Sequence, residues 1–155
     1  MSPRVRAGVV LVHEGQVALI ERHRDGVMPY YVFPGGGVEP MEPPEGAAVR
    51  EAREELGIHV ALGPLLAEVR FRPRGADIAA EESLQLYYHA QWVSGTFGTG
   101  SGPEYADAAG VRAYVPRWVA LLSLGDYDVR PRVVAEALAR YGTTWPAGWV
   151  LRHRE

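Results

Sequence analysis

The segment formed by residues 36–58 constrains this chain more than any other part of the sequence. It carries Glu51, Glu54 and Glu55, which are spaced at i, i+3 and i+4. On an α-helix these positions lie on one face, where like charges repel each other. Such a helix is favourable only if positive charge lies among the carboxylates, and a divalent cation is the obvious candidate. The segment therefore predicts a helix with an acidic face that binds a metal ion.

The rest of the segment predicts the limits and the opposite face of that helix. Proline is tolerated in a first helical turn, as at Pro44, and Glu45 there favours the positive end of the helix dipole. Gly57 is suited to cap the C-terminus of the helix. Apolar residues at helical spacing form one stripe, which predicts a buried face made of Ala48, Val49, Ala52 and Leu56.

The same segment matches the signature of the Nudix hydrolases at all nine specified positions. The chain has Gly36, five residues, Glu42 and seven further residues, followed by Arg50-Glu51-Ala52-Arg53-Glu54-Glu55-Leu56-Gly57-Ile58. Resemblance to this family implies a single Nudix domain over residues 1–155. It also implies an α+β fold, an α/β/α sandwich in which a mixed, mostly antiparallel sheet lies between helices.

The resemblance further implies a reaction and a cofactor. Nudix hydrolases cleave the pyrophosphate bond of a nucleoside diphosphate linked to another group, and the glutamates that match Glu51, Glu54 and Glu55 bind the metal. Mg²⁺ suits carboxylate and phosphate oxygens, with Mn²⁺ as an alternative. The metal neutralises the phosphates and lowers the pKa of a bound water. Arg50 resembles the arginine that holds a catalytic glutamate by a charge-assisted hydrogen bond, and Glu42 resembles a supporting carboxylate.

The general base has two candidate positions. Family members take it either from the acidic helix, which here means Glu54 or Glu55, or from an acidic residue in a distal loop. Glu104 is the best-placed loop residue, with Glu81 and Glu82 as competitors. The sequence favours neither the helix nor Glu104.

Residues outside the helix are predicted to contact the substrate. Arg22 ends the second predicted strand, although a solvated strand end is an equally good interpretation. Arg70 and Arg72 alternate along the end of a later strand, so they share one face. Tyr31 or Phe71 could stack on a nucleobase. The full set of predicted substrate contacts is Arg22, Gly36, Gly37, Glu39, Arg70 and Arg72.

Composition narrows the function classes. The chain has 155 residues, 47% hydrophobic content and a formal net charge of -3, which fits one domain with a real core. That charge argues against a stable nucleic-acid partner or an anionic membrane surface. The absence of lysine and cysteine excludes a P-loop lysine, Schiff bases, disulfides and thiolate zinc sites. We expect a cytoplasmic enzyme, monomeric or homodimeric, with a small-molecule nucleotide as substrate.

Hydrophobic patterning predicts the other elements. Residues 5–13 and 16–22 read as two strands joined by a turn at Glu14-Gly15. A loop is predicted at 73–82, a second loop at 97–110, and a short helix or turn at 116–122. The remaining predicted elements are strands at 30–33, 65–71, 84–93 and 111–115, and a helix at 130–141 that ends at Gly142.

Three functions are consistent with the sequence. The first is a magnesium-dependent pyrophosphohydrolase that converts a nucleoside triphosphate, oxidised or standard, to a monophosphate and pyrophosphate. The second keeps this chemistry with ADP-ribose, another nucleotide sugar or a dinucleoside polyphosphate, because Pro73 lies where ADP-ribose-cleaving relatives carry a proline. The third is a catalytically silent Nudix module that senses a nucleotide or binds a partner, which the complete set of glutamates disfavours.

Overall fold

The computed structural model describes residues 4–24, 26–72, 82–100 and 114–154. Strands dominate these ranges, with two α-helices and one 3₁₀ helix. In chain order the elements are β1 Arg4–His13, β2 Gln16–Arg24, β3 Val27–Val32, β4 Gly35–Gly37, α1 Pro44–Leu56, β5 Ile58–Phe71, β6 Ser83–Gly95, β7 Tyr114–Ala120, the 3₁₀ helix Leu121–Asp126, β8 Val129–Arg130, α2 Arg132–Tyr141 and β9 Leu151–Arg154.

The strands form one mixed sheet in the order β8-β3-β2-β1-β6-β5-β9, with β4 also paired to β1 and β7 also paired to β2. Strand β1 joins the two halves of the sheet. It pairs in parallel with β6 along residues 4–11 and turns through the predicted hairpin to pair with β2 at Val12 and His13. The pairings β1–β2, β1–β4, β2–β3, β2–β7 and β5–β6 are antiparallel, as predicted.

The two helices lie on opposite faces of this sheet. Successive side chains of a strand point to opposite faces, and β1 shows this clearly. Val9 and Leu11 pack in the core cluster that contains the apolar stripe of α1. Val10 packs in the other cluster, with Val134 and Leu138 of α2. The predicted α/β/α arrangement is therefore confirmed. Neither α-helix in the described ranges is long and apolar enough to cross a membrane.

The C-terminal half departs from the predicted elements at several places. Residues 116–120 were expected in a short helix or turn, but they continue strand β7, because this segment pairs with β2 from Gln16 to Arg22. Pairing to a neighbouring strand outweighs local preference there, and Pro116 is accommodated because β7 pairs with β2 alone among the described strands.

Other boundaries also shift. Strand β5 begins at Ile58, directly after the helix cap, where the sequence predicted a start at residue 65; the register is irregular between Leu62 and Leu65. The short strands β4, β8 and β9 were not predicted. The helix predicted at 130–141 is confirmed, and it begins at Arg132. Most of the two predicted loops, and the start of the strand predicted at 111–115, lie outside the described residues.

Candidate active site

Helix α1 brings the acidic residues to one edge of a cavity. It begins after Pro43 with Pro44 in its first turn, and it ends at Gly57, which adopts the left-handed conformation with φ 77°. The Gly57 N–H donates to the Arg53 carbonyl over 2.9 Å. Because Ala48, Ala52 and Leu56 are fully buried against the sheet, the glutamates are held on the other side of the helix. The predicted helix and cap are confirmed.

Arg50 lies at the centre of the acidic residues. Its Nε donates to Glu42 Oε2 over 2.8 Å and its Nη2 to Glu42 Oε1 over 3.0 Å, which is a bidentate pair. Nη1 donates to Glu51 Oε1 over 3.0 Å and to Glu54 Oε2 over 3.2 Å. Nη2 also donates to the Gly37 carbonyl over 3.0 Å. One guanidinium therefore supplies the positive charge that the acidic helix face requires, and it links the loop before α1 to the helix.

Glu42 is the anchor of this network. The hydrogen bonds from Arg50, followed by one from the Glu39 backbone N–H at 3.0 Å, lower the pKa of the Glu42 carboxyl to about 2. The pair with Glu42 in turn raises the pKa of Arg50. Glu42 is therefore ionised at neutral pH and fully engaged with Arg50. This geometry supports its predicted role as a supporting carboxylate.

Glu51 and Glu55 are adjacent acids, of which Glu55 is buried and Glu51 is partly exposed. Glu55 is only 6% exposed, and its Oε1 accepts the Gly35 N–H over 2.8 Å. Burial raises the pKa of Glu51, against the opposing effect of Arg50, and Glu51 also forms a hydrogen bond with Glu55. Positive charge close to two adjacent carboxyl groups favours the ionised form of both. A divalent cation supplies such charge.

The loop before the helix can approach these acids because it consists of glycines. An added Cβ at Gly36 would overlap the Glu51 carboxylate, meeting Oε1 and lying 2.5 Å from Cδ. An added Cβ at Gly35 would lie 2.7 Å from the Ala7 carbonyl oxygen and from the Gly8 Cα. Both distances are shorter than real carbon contacts allow. Glycine is therefore required at both positions because no larger residue fits the space.

We expect Gly36→Ala to lower kcat by about 10-fold, because the new methyl group forces the Glu51 carboxylate out of its position and small displacements in a site are costly. The measurement is steady-state kinetics together with the thermal midpoint of unfolding. Gly125→Ala is the matched control, since a Cβ at Gly125 meets no atom within 4 Å. Equal kinetics for the two variants would show that the position of Glu51 does not matter for the reaction.

The predicted metal ligands fit a hard divalent cation by their chemistry. Glu51, Glu54 and Glu55 offer only carboxylate oxygens, the donors that Mg²⁺ and Mn²⁺ accept. Among the described residues no three histidine, aspartate or glutamate groups converge on a single point. Glu51 and Glu54 instead each give an oxygen to Arg50 Nη1. A cation would therefore compete with Arg50 for these two side chains.

A cavity of about 890 Å³ opens beside Glu51 and Glu55. The floor of the cavity is the sheet face formed by β5, β6, β1 and β4. The wall opposite this floor comes from residues of β2 and β8. The charged side chains that line it are Glu51, Glu55, Asp128, Arg4, Arg6, Arg22, Arg130 and Arg132. With five arginines against three carboxyl groups, the cavity is suited to a substrate that carries several negative charges.

Aromatic rings hold two of the cavity arginines. Arg22 Nη2 donates to the Tyr114 hydroxyl over 2.6 Å, and the Arg22 guanidinium lies 4.6 Å from the centre of the Tyr114 ring. The Arg130 guanidinium lies 4.0 Å from the centre of the Tyr30 ring, and its Nη2 pairs with Asp128 Oδ2 at 2.9 Å. Cation–π contacts and ion pairs of this kind restrict the side chains without removing their charge.

The structure brings some of the predicted substrate contacts to the cavity. Arg22 and Gly36 line it. Gly37 lies next to it on β4, with its carbonyl bound to Arg50, and Glu39 lies 3.8 Å from Arg50 Nη1. Of the candidates for base stacking, Phe71 lines the cavity and Tyr31 does not.

Arg70 and Arg72 are not brought to the cavity. Alternation along β5 directs Val69 and Phe71 into it, so Arg70 belongs to the other face, where its Nη1 lies 3.8 Å from Glu82 Oε1. Arg72 is exposed beyond the end of the strand. Of the acidic residues considered as general base, Glu104 and Glu81 lie outside the described residues.

Of the five arginines that line the cavity, only Arg22 was among the substrate contacts predicted from the sequence. Arg4 and Arg6 are two residues apart at the start of β1, and this alternation is a signal that the sequence contains. Arg130 and Arg132 flank Pro131 at the junction of β8 and α2, and only the parallel pairing of β8 with β3 brings them close to β2. No local pattern identifies that pair.

Comparisons with known proteins agree with this geometry. The NUDIX domain family model matches residues 2–138. A NUDIX hydrolase from Nitrosomonas europaea has the same fold, with a TM-score of 0.70 at 19% identity, covering 100% of this chain and 80% of that one. A MutT NUDIX hydrolase from Burkholderia pseudomallei gives a TM-score of 0.63 at 29% identity, over 88% of this chain and 98% of that one.

One similarity to a curated protein is local. Diphosphoinositol polyphosphate phosphohydrolase 3-alpha of Mus musculus is 58% identical over 36 residues. The aligned segment covers 23% of this chain and 22% of that protein. It therefore extends over only a small part of either chain.

Proposed function

Since this chain belongs to the NUDIX domain family, we propose that it is a pyrophosphohydrolase of nucleoside diphosphate-linked compounds and that its substrate is a nucleoside triphosphate. Standard and oxidised nucleotides are both included. The products are the nucleoside monophosphate and pyrophosphate. The reaction uses a divalent cation, with Mg²⁺ as the physiological ion and Mn²⁺ as a substitute.

The observation that carries this proposal is the order of chemical groups across the cavity floor. Phe71 on β5 is opposite Ser83 on β6, and Ser83 is opposite Arg4 on β1. Neighbouring strands lie about 4.8 Å apart, so Phe71 and Arg4 are separated by about 10 Å. On the far side of β1, strand β4 brings Gly36 against Glu51. An aromatic ring, then arginines, then carboxylates is the order that a base, its phosphates and a metal ion require.

The cavity residues then have distinct roles. Arg4 and Arg6 contact phosphate oxygens on the floor, while Arg22 and Arg130 contact them from the other wall. Glu51, Glu54 and Glu55 would hold the cation. When bound, the cation neutralises charge on the scissile diphosphate and makes a water ligand more acidic.

Glu54 is the proposed acceptor of the proton from the attacking water. Its side chain is 31% exposed, so solvent reaches it, whereas Glu55 is buried against Gly35. Water attacks one phosphorus, a new P–O bond forms, and the other phosphate leaves with the bridging oxygen. Glu104 is the alternative base.

We expect the purified protein to convert nucleoside triphosphates to equal amounts of monophosphate and pyrophosphate, with no orthophosphate. Activity is expected to require Mg²⁺ or Mn²⁺ and to disappear with EDTA. The measurement is product analysis by ion-exchange chromatography across a panel of triphosphates, ADP-ribose, a dinucleoside polyphosphate and a diphosphoinositol polyphosphate.

Other members of the panel test the alternatives directly. If kcat/KM for ADP-ribose or for a dinucleoside polyphosphate exceeds that for every triphosphate, the substrate is of the second kind predicted from the sequence. Binding of nucleotides without turnover of any compound in the panel would indicate a catalytically silent module.

A further inference from the structure

We propose that Gln85 and Phe71 form a nucleobase subsite that selects bases with a carbonyl oxygen over bases with an amino group at the same position. This inference rests on the nucleotide substrate proposed above and names which nucleotides are preferred. Neither the signature segment nor its arginine network contains either residue.

Gln85 occupies the middle of the cavity floor. On β6 it is opposite Val69 of β5 and opposite Arg6 of β1. All three side chains line the cavity. Because neighbouring strands lie about 4.8 Å apart, Gln85 lies between the apolar end of the floor and its arginines. Gln85 is also the diagonal neighbour of Phe71 across β5 and β6, about 7 to 8 Å away, so its polar group meets the edge of a ring that stacks on Phe71.

The orientation of the Gln85 amide is set by Tyr87. The Tyr87 hydroxyl donates to Gln85 Oε1 over 2.7 Å. Tyr87 is 8% exposed, and its ring packs edge-on against Phe33 with 5.6 Å between the ring centres. A packed tyrosine that binds the amide oxygen leaves the NH₂ end of Gln85 for the cavity. The side chain then presents hydrogen-bond donors to a ligand.

Phe71 supplies the surface against which a base can stack. It lines the cavity at its apolar end, yet 45% of it is exposed. Stacking on a ring binds every base and discriminates little between them. The neighbouring Ser83 hydroxyl both donates and accepts, so it also tolerates either chemistry. Discrimination therefore depends on Gln85, whose amide orientation is set by Tyr87.

The expected preference for oxo bases depends on whether the base can accept a hydrogen bond from the Gln85 NH₂ group. A carbonyl oxygen on the base accepts from the Gln85 NH₂ group. An amino group at the same position places two donors against each other and leaves both without an acceptor. Sites built to form a hydrogen bond reject a ligand that cannot make it, because a desolvated polar group is then left unpaired.

The test uses pairs of triphosphates that differ mainly in one oxo or amino group. ITP is compared with ATP, and UTP with CTP, by kcat/KM. In whichever of the two pairs is hydrolysed with the higher kcat/KM, we expect the oxo member to have a kcat/KM about 10-fold or more above that of the amino member. Gln85→Glu replaces donors by acceptors and is expected to abolish or invert the preference. Gln91→Glu is the matched control, because Gln91 is exposed on the same strand outside the cavity.

Two further variants keep the proposal testable if Gln85→Glu does not fold. Gln85→Leu removes the donors at similar size, so the ratio of the two kcat/KM values is expected to fall to about 1. Tyr87→Phe removes the hydrogen bond that orients the amide, so it is expected to reduce this ratio.

The failures of the two proposals are distinguishable. If no triphosphate is hydrolysed by the wild-type protein, the proposed function is wrong, and the subsite with it. If triphosphates are hydrolysed but the oxo and amino members are used equally, or the amino member is preferred, only the subsite is overturned. The same holds if the preference is present and Gln85→Glu and Gln85→Leu leave it unchanged.

Discussion

Replacing Glu54 by glutamine is expected to lower kcat by at least about 100-fold with little change in stability. Glutamine keeps the volume of the side chain and removes its negative charge. That charge serves the proposed cation site and the proposed transfer of a proton from water. One hydrogen bond from Arg50, at 3.2 Å, is the contact most affected in the free protein.

Single-turnover and steady-state rates at saturating Mg²⁺ measure this effect. Glu45→Gln is the matched control, because Glu45 belongs to the same helix but lies in its exposed first turn, where it accepts a hydrogen bond from the Tyr88 hydroxyl over 3.4 Å and not from Arg50. A rate for Glu54→Gln equal to that of the control would mean that the chemistry depends on other residues. Glu104→Gln tests the loop alternative, and a small effect there assigns the base to the helix.

Replacing Arg50 by alanine is expected to lower kcat by about 100-fold or more, since it misplaces several groups at once. The bidentate pair with Glu42 and the contacts with Glu51 and Glu54 are all lost. Arg50→Lys is expected to restore only part of the rate, because an ammonium group cannot reproduce two parallel hydrogen bonds to one carboxylate.

Arg53 provides the control for both Arg50 variants. It lies on the same helix, it is exposed, and it does not line the cavity. Arg53→Ala and Arg53→Lys are therefore expected to retain wild-type rates. If the kcat of Arg50→Lys equalled that of the wild type, a positive charge alone would suffice. The two parallel hydrogen bonds of the guanidinium would then have no part in positioning the glutamates.

The pH dependence of the unfolding free energy of Arg50→Ala gives a second test of the pair formed by Arg50 and Glu42. The folded protein holds the pKa of Glu42 at about 2, below its ordinary value of 4.5. This pair therefore contributes stability above pH 4.5 and loses its contribution as pH falls towards 2. The difference in unfolding free energy between wild type and Arg50→Ala is expected to narrow over that pH range. A difference that stays constant would show that Glu42 and Arg50 are not coupled.

Much of the candidate site could be predicted from the sequence because it is built on one helix. The spacing of Glu51, Glu54 and Glu55 and the stripe opposite them depend only on helical geometry. The αL cap at Gly57 is equally local. The structure adds that Arg50 binds three of the acidic side chains at once, which the sequence indicated only as a general role.

The sequence by itself determined the acidic helix, because residues close in the chain have fixed spacing on a helix, and its signature segment identified the family. Only the tertiary structure decided which arginines line the same cavity as Glu51 and Glu55. Arg70, predicted from alternation, faces away, since the register of β5 directs Phe71 into the cavity. Arg4 reaches it through pairing of β1 with β6, and Arg130 through pairing of β8 with β3. Strand pairing joins residues far apart in the chain, so no local pattern can specify it.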